Sequence, residues 1–265
     1  MNSVSDYCDN KTFENKKGKV GPILTLLAQF MLLLISEMVF LYLLLLPLPI
    51  LGRMIIPPYP FSYSDQRKEN QVNVEIFYES LCPDSKNFFV DTLSPIISQF
   101  SPYMSITLVP YGKAKTTKTQ QSYQFSCQHG SAECQGNLYH NCAQKYITDQ
   151  VSKIRLISCM FEKTSTSMST GPDWDTVVRQ CTDQWGLSGQ LSSLYNCAVD
   201  LEGRQLHYQA GMRTGAREFI PTVEMSGGRE LGKVVLDSRV KVKNMVEEFC
   251  DLYKRLYGEL VQPCH

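Results

Sequence analysis

Cys82 is the residue whose type and setting point most directly to chemistry. It follows a β-branched and aromatic run, VNVEIFY, and precedes a run with helical spacing, so its thiol stands where a strand gives way to a helix. Unpaired backbone N–H groups and the positive end of a helix dipole favour the thiolate at such a junction. The thiolate is the species that attacks a disulfide. Pro83 suits the first helical turn, where its missing N–H would lack a partner anyway. Asp84 works against the thiolate through its charge, and Ser85 can hydrogen-bond a sulfur but cannot form a disulfide. The plainer alternative for Cys82 is a buried or structurally paired cysteine.

The other cysteines report the compartment. The 265-residue chain has ten, at positions 8, 82, 127, 134, 142, 159, 181, 197, 250 and 264. So many imply either metal binding or export to an oxidising compartment. Residues 22–51 are apolar enough to decide for export. They act either as a signal anchor or, from Met38 on, as the apolar core of a cleaved signal peptide that leaves Glu37 outside the membrane. With Cys8 cytosolic or removed and Cys82 unpaired, eight cysteines remain, enough for four disulfides of undetermined connectivity. Lysine plus arginine number 26, as do aspartate plus glutamate, so no basic field points to a nucleic-acid partner.

The elements that must hold Cys82 follow in order. Residues 1–21 are a polar tail, 22–51 the apolar segment and 52–70 a proline-bearing linker; the domain spans 71–258, and 259–265 form a short tail. Within it, Val72–Tyr78 reads as a strand, residues 88–100 as a helix kinked at Pro95, and residues 104–110 as a second, parallel strand. An insertion at about 113–217 opens with a polar, loop-like stretch. It continues with helices at about 143–161, 173–185 and 188–199, in which Trp174 and Trp185 are core residues. Residues 219–225 return to strand character, Ser226-Gly227-Gly228 turns, residues 233–236 run back, and residues 239–257 form a closing helix. The order β-α-β, insertion, β-β-α predicts an α/β thioredoxin-like fold with a disulfide-rich helical insertion. In such domains a proline at the start of the third strand follows a cis bond and lies against the redox turn, which makes Pro221 the third candidate site residue.

Residues 127–142, CQHGSAECQGNLYHNC, carry a more specific signal. Cys127, Gln128, His129, Gly130, Glu133, Cys134, Asn137 and Cys142 fill every fixed position of C-Q-H-G-x2-E-C-x2-N-x4-C. This resembles the signature of the gamma-interferon-inducible lysosomal thiol reductase (GILT) family, and the resemblance covers about residues 72–250. It implies reduction of protein or peptide disulfides, with neither organic cofactor nor metal. The family's redox turn is C-x-x-C, whereas this chain has Cys82-Pro83-Asp84-Ser85, so it implies a monothiol site that needs an external small thiol for turnover. A non-catalytic protein that holds clients on the same scaffold is the alternative. The family's lysosomal enzyme is sorted through N-glycans, but the only sequon here, at Asn10, precedes the apolar segment. Secretion or membrane tethering therefore joins lysosomal delivery as an expectation.

The eight cysteines from 127 onward read as structural, and a zinc site among residues 127–142 is the lesser alternative because their gaps exceed zinc-knuckle spacing. His129, His140, His207 and His265 show no partner spacing that suggests catalysis.

Overall fold

The computed structural model describes residues 70–164, 171–228, 231–237 and 244–265. Residues 22–51 lie outside these, and no described helix is long and apolar enough to cross a membrane. Strand β1 (Val72–Tyr78) is central. It pairs in parallel with β2 (Met104–Pro110) on one side and antiparallel with β5 (Thr222–Ser226) on the other; β6 (Val234–Asp237) completes the order β2-β1-β5-β6. Val74 lies level with Ile106 and Met225, and the last three residues of β1 are buried on both faces. Layers on both sides therefore cover the end of the strand that feeds the site. This is the thioredoxin-like arrangement.

Two helical stretches join β1 to β2. Helix α1 (Pro83–Asn87) passes into a π-helical segment at Phe88–Leu93, then into α2 (Ser94–Phe100). The irregularity thus precedes Pro95 rather than sitting at it, because proline offers no N–H to the preceding turn and the hydrogen-bond ladder widens there. Helix α8 (Met245–Tyr257) packs beside α2 through the edge-to-face rings of Phe100 and Phe249.

The described residues between β2 and β5 form a small hairpin and five α-helices: α3 (Ser131–Tyr146), α4 (Gln150–Lys163), α5 (Trp174–Gln184), α6 (Leu191–Val199) and α7 (Leu201–Thr214). The hairpin, β3 (Lys115–Lys118) with β4 (Tyr123–Ser126), corrects the loop expected there. β3 carries no apolar residue, and the alternation of Tyr123 and Phe125 with exposed polar neighbours in β4 spans only four residues, too few to mark a strand; Tyr123 stacks on Tyr208 of α7 at 4.3 Å. Helix α7 was also not expected. Its glycines weaken the apolar pattern but allow close approach: a Cβ on Gly211 would lie 2.5 Å from the Tyr111 ring. Trp174 is buried as expected. Trp185 is not; it is 38% exposed, with the Arg155 guanidinium 5.2 Å from its ring.

Four disulfides staple this assembly: Cys127–Cys134, Cys142–Cys197, Cys159–Cys181 and Cys250–Cys264. The first two consume the thiols that the zinc alternative needed.

Candidate active site

Cys82 occupies the N-cap of α1 with extended backbone, and its carbonyl accepts the Lys86 N–H at 3.0 Å. It is the free cysteine among the described residues, and it is 8% exposed. Its thiol donates to the Ile220 carbonyl at 3.8 Å, and the Ile220-Pro221 bond is cis. Cys82, Ser85 and Pro221, drawn from opposite ends of the domain, thus meet at one place. Ser85 is fully buried and its hydroxyl accepts the Glu79 N–H at 3.4 Å.

The protonation balance at Cys82 corrects the expectation from the helix dipole. Burial dominates and pushes its thiol pKa up, with the nearby Glu79 charge adding to the rise. Hydrogen bonds from the Ser85 side chain and backbone and from the Asp84 backbone oppose it. Asp84 therefore helps the thiolate through its N–H rather than hindering it. Desolvation thus outweighs what the backbone N–H groups of the first helical turn supply. Ser85→Ala removes the largest opposing contribution, and about 1.5 kcal/mol for a hydrogen bond to a charged group corresponds to roughly tenfold slower alkylation of Cys82 at neutral pH. Iodoacetamide kinetics on the Ser85→Ala variant check this; an unchanged rate would show that Ser85 leaves the thiolate alone.

The turn that carries Cys82 is anchored to α3. The Ser80 N–H donates to Asn137 Oδ1 at 2.9 Å and its hydroxyl to the Glu133 carbonyl at 3.0 Å. Four residues on, Asn141 Nδ2 donates to the Pro110 carbonyl at the end of β2. Residues 133, 137 and 141 fall on one helical face, so a single stripe of α3 ties both strand ends. Gly136 makes the approach possible, since a Cβ there would sit 2.1 Å from Trp174 and 2.4 Å from Ser80 Oγ. Gly130 begins α3 with φ +88°, a backbone that favours glycine. Gln128 is exposed, and nothing in the structure explains its place in the signature.

The same geometry corrects the reading of His129. Its Nδ1 lies 2.5 Å from Glu133 Oε2 and 3.7 Å from Glu79 Oε2, and its N–H donates to Glu133 Oε1 at 3.1 Å. Glu79 and Glu133 are both buried, whereas the His129 side chain is 33% exposed. The His129/Glu133 spacing of four was visible in the sequence; Glu79, fifty residues away, was not. Burial first, and then the Glu133 charge, raise the Glu79 pKa. The three side chains offer ligand atoms within 4.8 Å of one another. However, Glu79 Oε1 already accepts the Lys113 N–H at 2.6 Å, and Glu133 engages His129 through both oxygens. The arrangement is a hydrogen-bonded carboxylate–imidazole cluster rather than a metal centre.

Cys82 and His129 line one cavity of about 530 Å³, together with Leu81, Pro83, Lys86, Ala132 and Phe161 among others. The pocket is largely apolar with a few polar groups and has the nucleophile in its wall, the composition of a ligand-binding cleft.

Residues 73–185 match the family described as gamma interferon inducible lysosomal thiol reductase (GILT). The chain is 32% identical over 198 residues to the gamma-interferon-inducible lysosomal thiol reductase of Carassius auratus, covering 73% of this chain and 72% of that one. The chain belongs to the GILT family. With the mouse (Mus musculus) protein of the same description, identity is 29% over 178 residues, covering 66% of this chain and 64% of that one. Among solved structures, reduced DsbA1 from Neisseria meningitidis aligns with a TM-score of 0.44 at 13% identity, covering 73% of this chain and 91% of that one. As a GILT-family member the chain is a thiol–disulfide oxidoreductase with disulfide-containing substrates. Its four disulfides fit folding within the secretory pathway.

Proposed function

We propose that this GILT-family protein works as a monothiol oxidoreductase on protein or peptide disulfides, with Cys82 as nucleophile. The observation that supports this most is the free Cys82 facing Ile220-Pro221 with Ser85 at the resolving position. The Cys82 thiolate attacks one substrate sulfur, the substrate S–S bond breaks, and a mixed disulfide forms as the other sulfur leaves with the electron pair. Ser85 cannot resolve that intermediate. A small external thiol must, or the substrate's own released thiol returns and isomerises the bond. Pro221 flanks the groove in which the substrate lies. The protein acts in the secretory pathway, as a lysosomal, extracellular or tethered form; tethering would run through residues 22–51, and N-terminal analysis of the mature protein tests whether they are retained.

The experiment compares wild type, Cys82→Ser and Ser85→Cys in disulfide reduction with glutathione or cysteine present. Wild type should turn over only with the small thiol, and Cys82→Ser should be inert. Ser85→Cys should cut the amount of trapped mixed disulfide by at least about tenfold, as expected when resolution becomes intramolecular. Wild type no faster than Cys82→Ser at any pH from acidic to neutral would remove the enzymatic reading. Turnover in Ser85→Cys alone would make the protein a client-holding scaffold, a reading that the burial of Cys82 and its raised pKa would then favour.

A further inference from the structure

We propose that His129 is the acid–base catalyst of thiol–disulfide exchange at Cys82, with Glu79 and Glu133 as its positioning residues; this rests on Cys82 being the nucleophile. His129 and Cys82 open on the same cavity. Glu133 holds Nδ1 at 2.5 Å, and Nε2 has no hydrogen-bond partner among the described residues, so it is the ring nitrogen left for a ligand in that cavity. The ring is tied to the nucleophile's own turn, because Glu79 approaches the imidazole with its carboxylate while its backbone carbonyl accepts the Cys82 N–H at 3.3 Å. Lys113 fixes that carboxylate from the other side through its N–H, and a Cβ on Gly112 would lie 2.0 Å from the Glu79 side chain. A carboxylate behind a histidine sets its tautomer and steadies the charged ring, the role that orienting carboxylates play in other acid–base sites.

The chemistry needs such a group. When Cys82 attacks R–S–S–R′, the Cys82–S–S–R bond forms and R′S⁻ departs; an alkyl thiolate leaves faster if it is protonated as it goes. His129 in its charged form gives it the Nε2 proton. In the return half, neutral His129 takes the proton of an entering small thiol. The resulting thiolate attacks the R sulfur and releases the Cys82 thiolate, and a second small thiol then frees R. The substrate disulfide ends as two thiols, and two small thiols end as one disulfide. Lys86 lines the same cavity, but an ammonium has no second nitrogen for a carboxylate to hold while the first meets the substrate, as the imidazole has. The competing account is that His129 only completes the start of α3, since its N–H donates to Glu133 Oε1.

Leaving-group chemistry separates the two. Purified full-chain wild type, His129→Gln and Cys82→Ser are reacted in single turnover with an alkyl disulfide, whose leaving thiolate needs a proton, and an aromatic nitrobenzoate disulfide, whose leaving thiolate does not. His129→Gln should be about a hundredfold slower on the alkyl disulfide, the usual worth of a positioned acid, and within about twofold of wild type on the aromatic one. Glu79→Gln and Glu133→Gln should show the same selectivity with smaller losses. Equal slowing on both disulfides, or on neither, overturns the proposal. A second measurement needs no variant: wild-type rates across disulfides graded in leaving-thiol acidity should vary less steeply than those of a free thiol, and an equally steep dependence also overturns it. If wild type and Cys82→Ser react alike, the nucleophile assignment falls as well. A reactive Cys82 with an unselective His129→Gln removes this inference alone.

Discussion

Lowering the pH from 7.5 to 5 should take about 4 kcal/mol from folding stability, because two buried histidines stay neutral in the folded protein. His140 is fully buried among the rings of Tyr78, Phe161 and Trp174, and neither of its nitrogens has a hydrogen-bond partner among the described residues. Burial depresses its pKa to about 3. His207 is equally buried, and although its Nδ1 donates to the Pro110 carbonyl at 3.2 Å, burial outweighs that bond and holds its pKa at about 4. Unfolded, each takes up a proton near pH 6.5; folded, neither does until far lower. Stability is therefore full above pH 6.5 and lost as the pH falls toward 4 and 3, at about 1.4 kcal/mol per pH unit for each histidine. Glu79 opposes the trend in sign, since a raised carboxyl binds its proton more readily folded than unfolded. Asp149 and Asp173, whose pKa values are lowered chiefly by hydrogen bonds from Ser152 and Thr176, add their own losses only below the ordinary carboxylate range. Urea unfolding at both pH values measures the loss, and His140→Leu should remove about half of the slope. A midpoint that does not move between pH 7.5 and 5 would refute the assignment.

Neither histidine announces this in the sequence, and the reason marks where sequence reading stops. Cys82 could be found because its signal is local: a strand-like run, a thiol, a proline and helical spacing lie within a few residues. Pro221 could be placed because the order of elements brings its strand beside β1. The signature around Cys127 was equally plain, but what its members do was not. Asn137 holds Ser80, and Glu133 holds His129 in front of Glu79, through contacts that only the packing of α3 against the β1 turn creates. The sign of the Cys82 shift failed for the same reason. Dipole and capping are properties of neighbouring residues, whereas desolvation depends on everything folded over the site. The β3/β4 hairpin escaped because each strand is only four residues long and β3 has no apolar residue, and α7 because its glycines thin the apolar pattern while allowing contact.

Disulfide Cys142–Cys197 should matter most to survival in acid. It closes 55 residues of chain and fastens α3, which anchors the Cys82 turn, to α6; the other three close 7, 22 and 14 residues. Chain-entropy reasoning assigns about 4 kcal/mol to a loop of that length and about 3 kcal/mol to the one closed by Cys250–Cys264. Both cysteines of the long-loop bridge are buried, so alanine is the fair replacement, since serine would bury an unneeded hydroxyl. At pH 7.5 the Cys142→Ala/Cys197→Ala protein should unfold at lower urea yet still present a folded domain. At pH 5 the bridge loss and the histidine penalty sum to about 8 kcal/mol, within the 5–15 kcal/mol that holds a typical domain together. The double variant should then be largely unfolded in acid, with Cys82 open to dipyridyl disulfide, which still reacts with thiols at low pH, while wild type keeps it protected. Equal urea midpoints for the two proteins at both pH values would show that the insertion packs without its staple. Such a result would also detach the geometry at Cys82 from the disulfides around it.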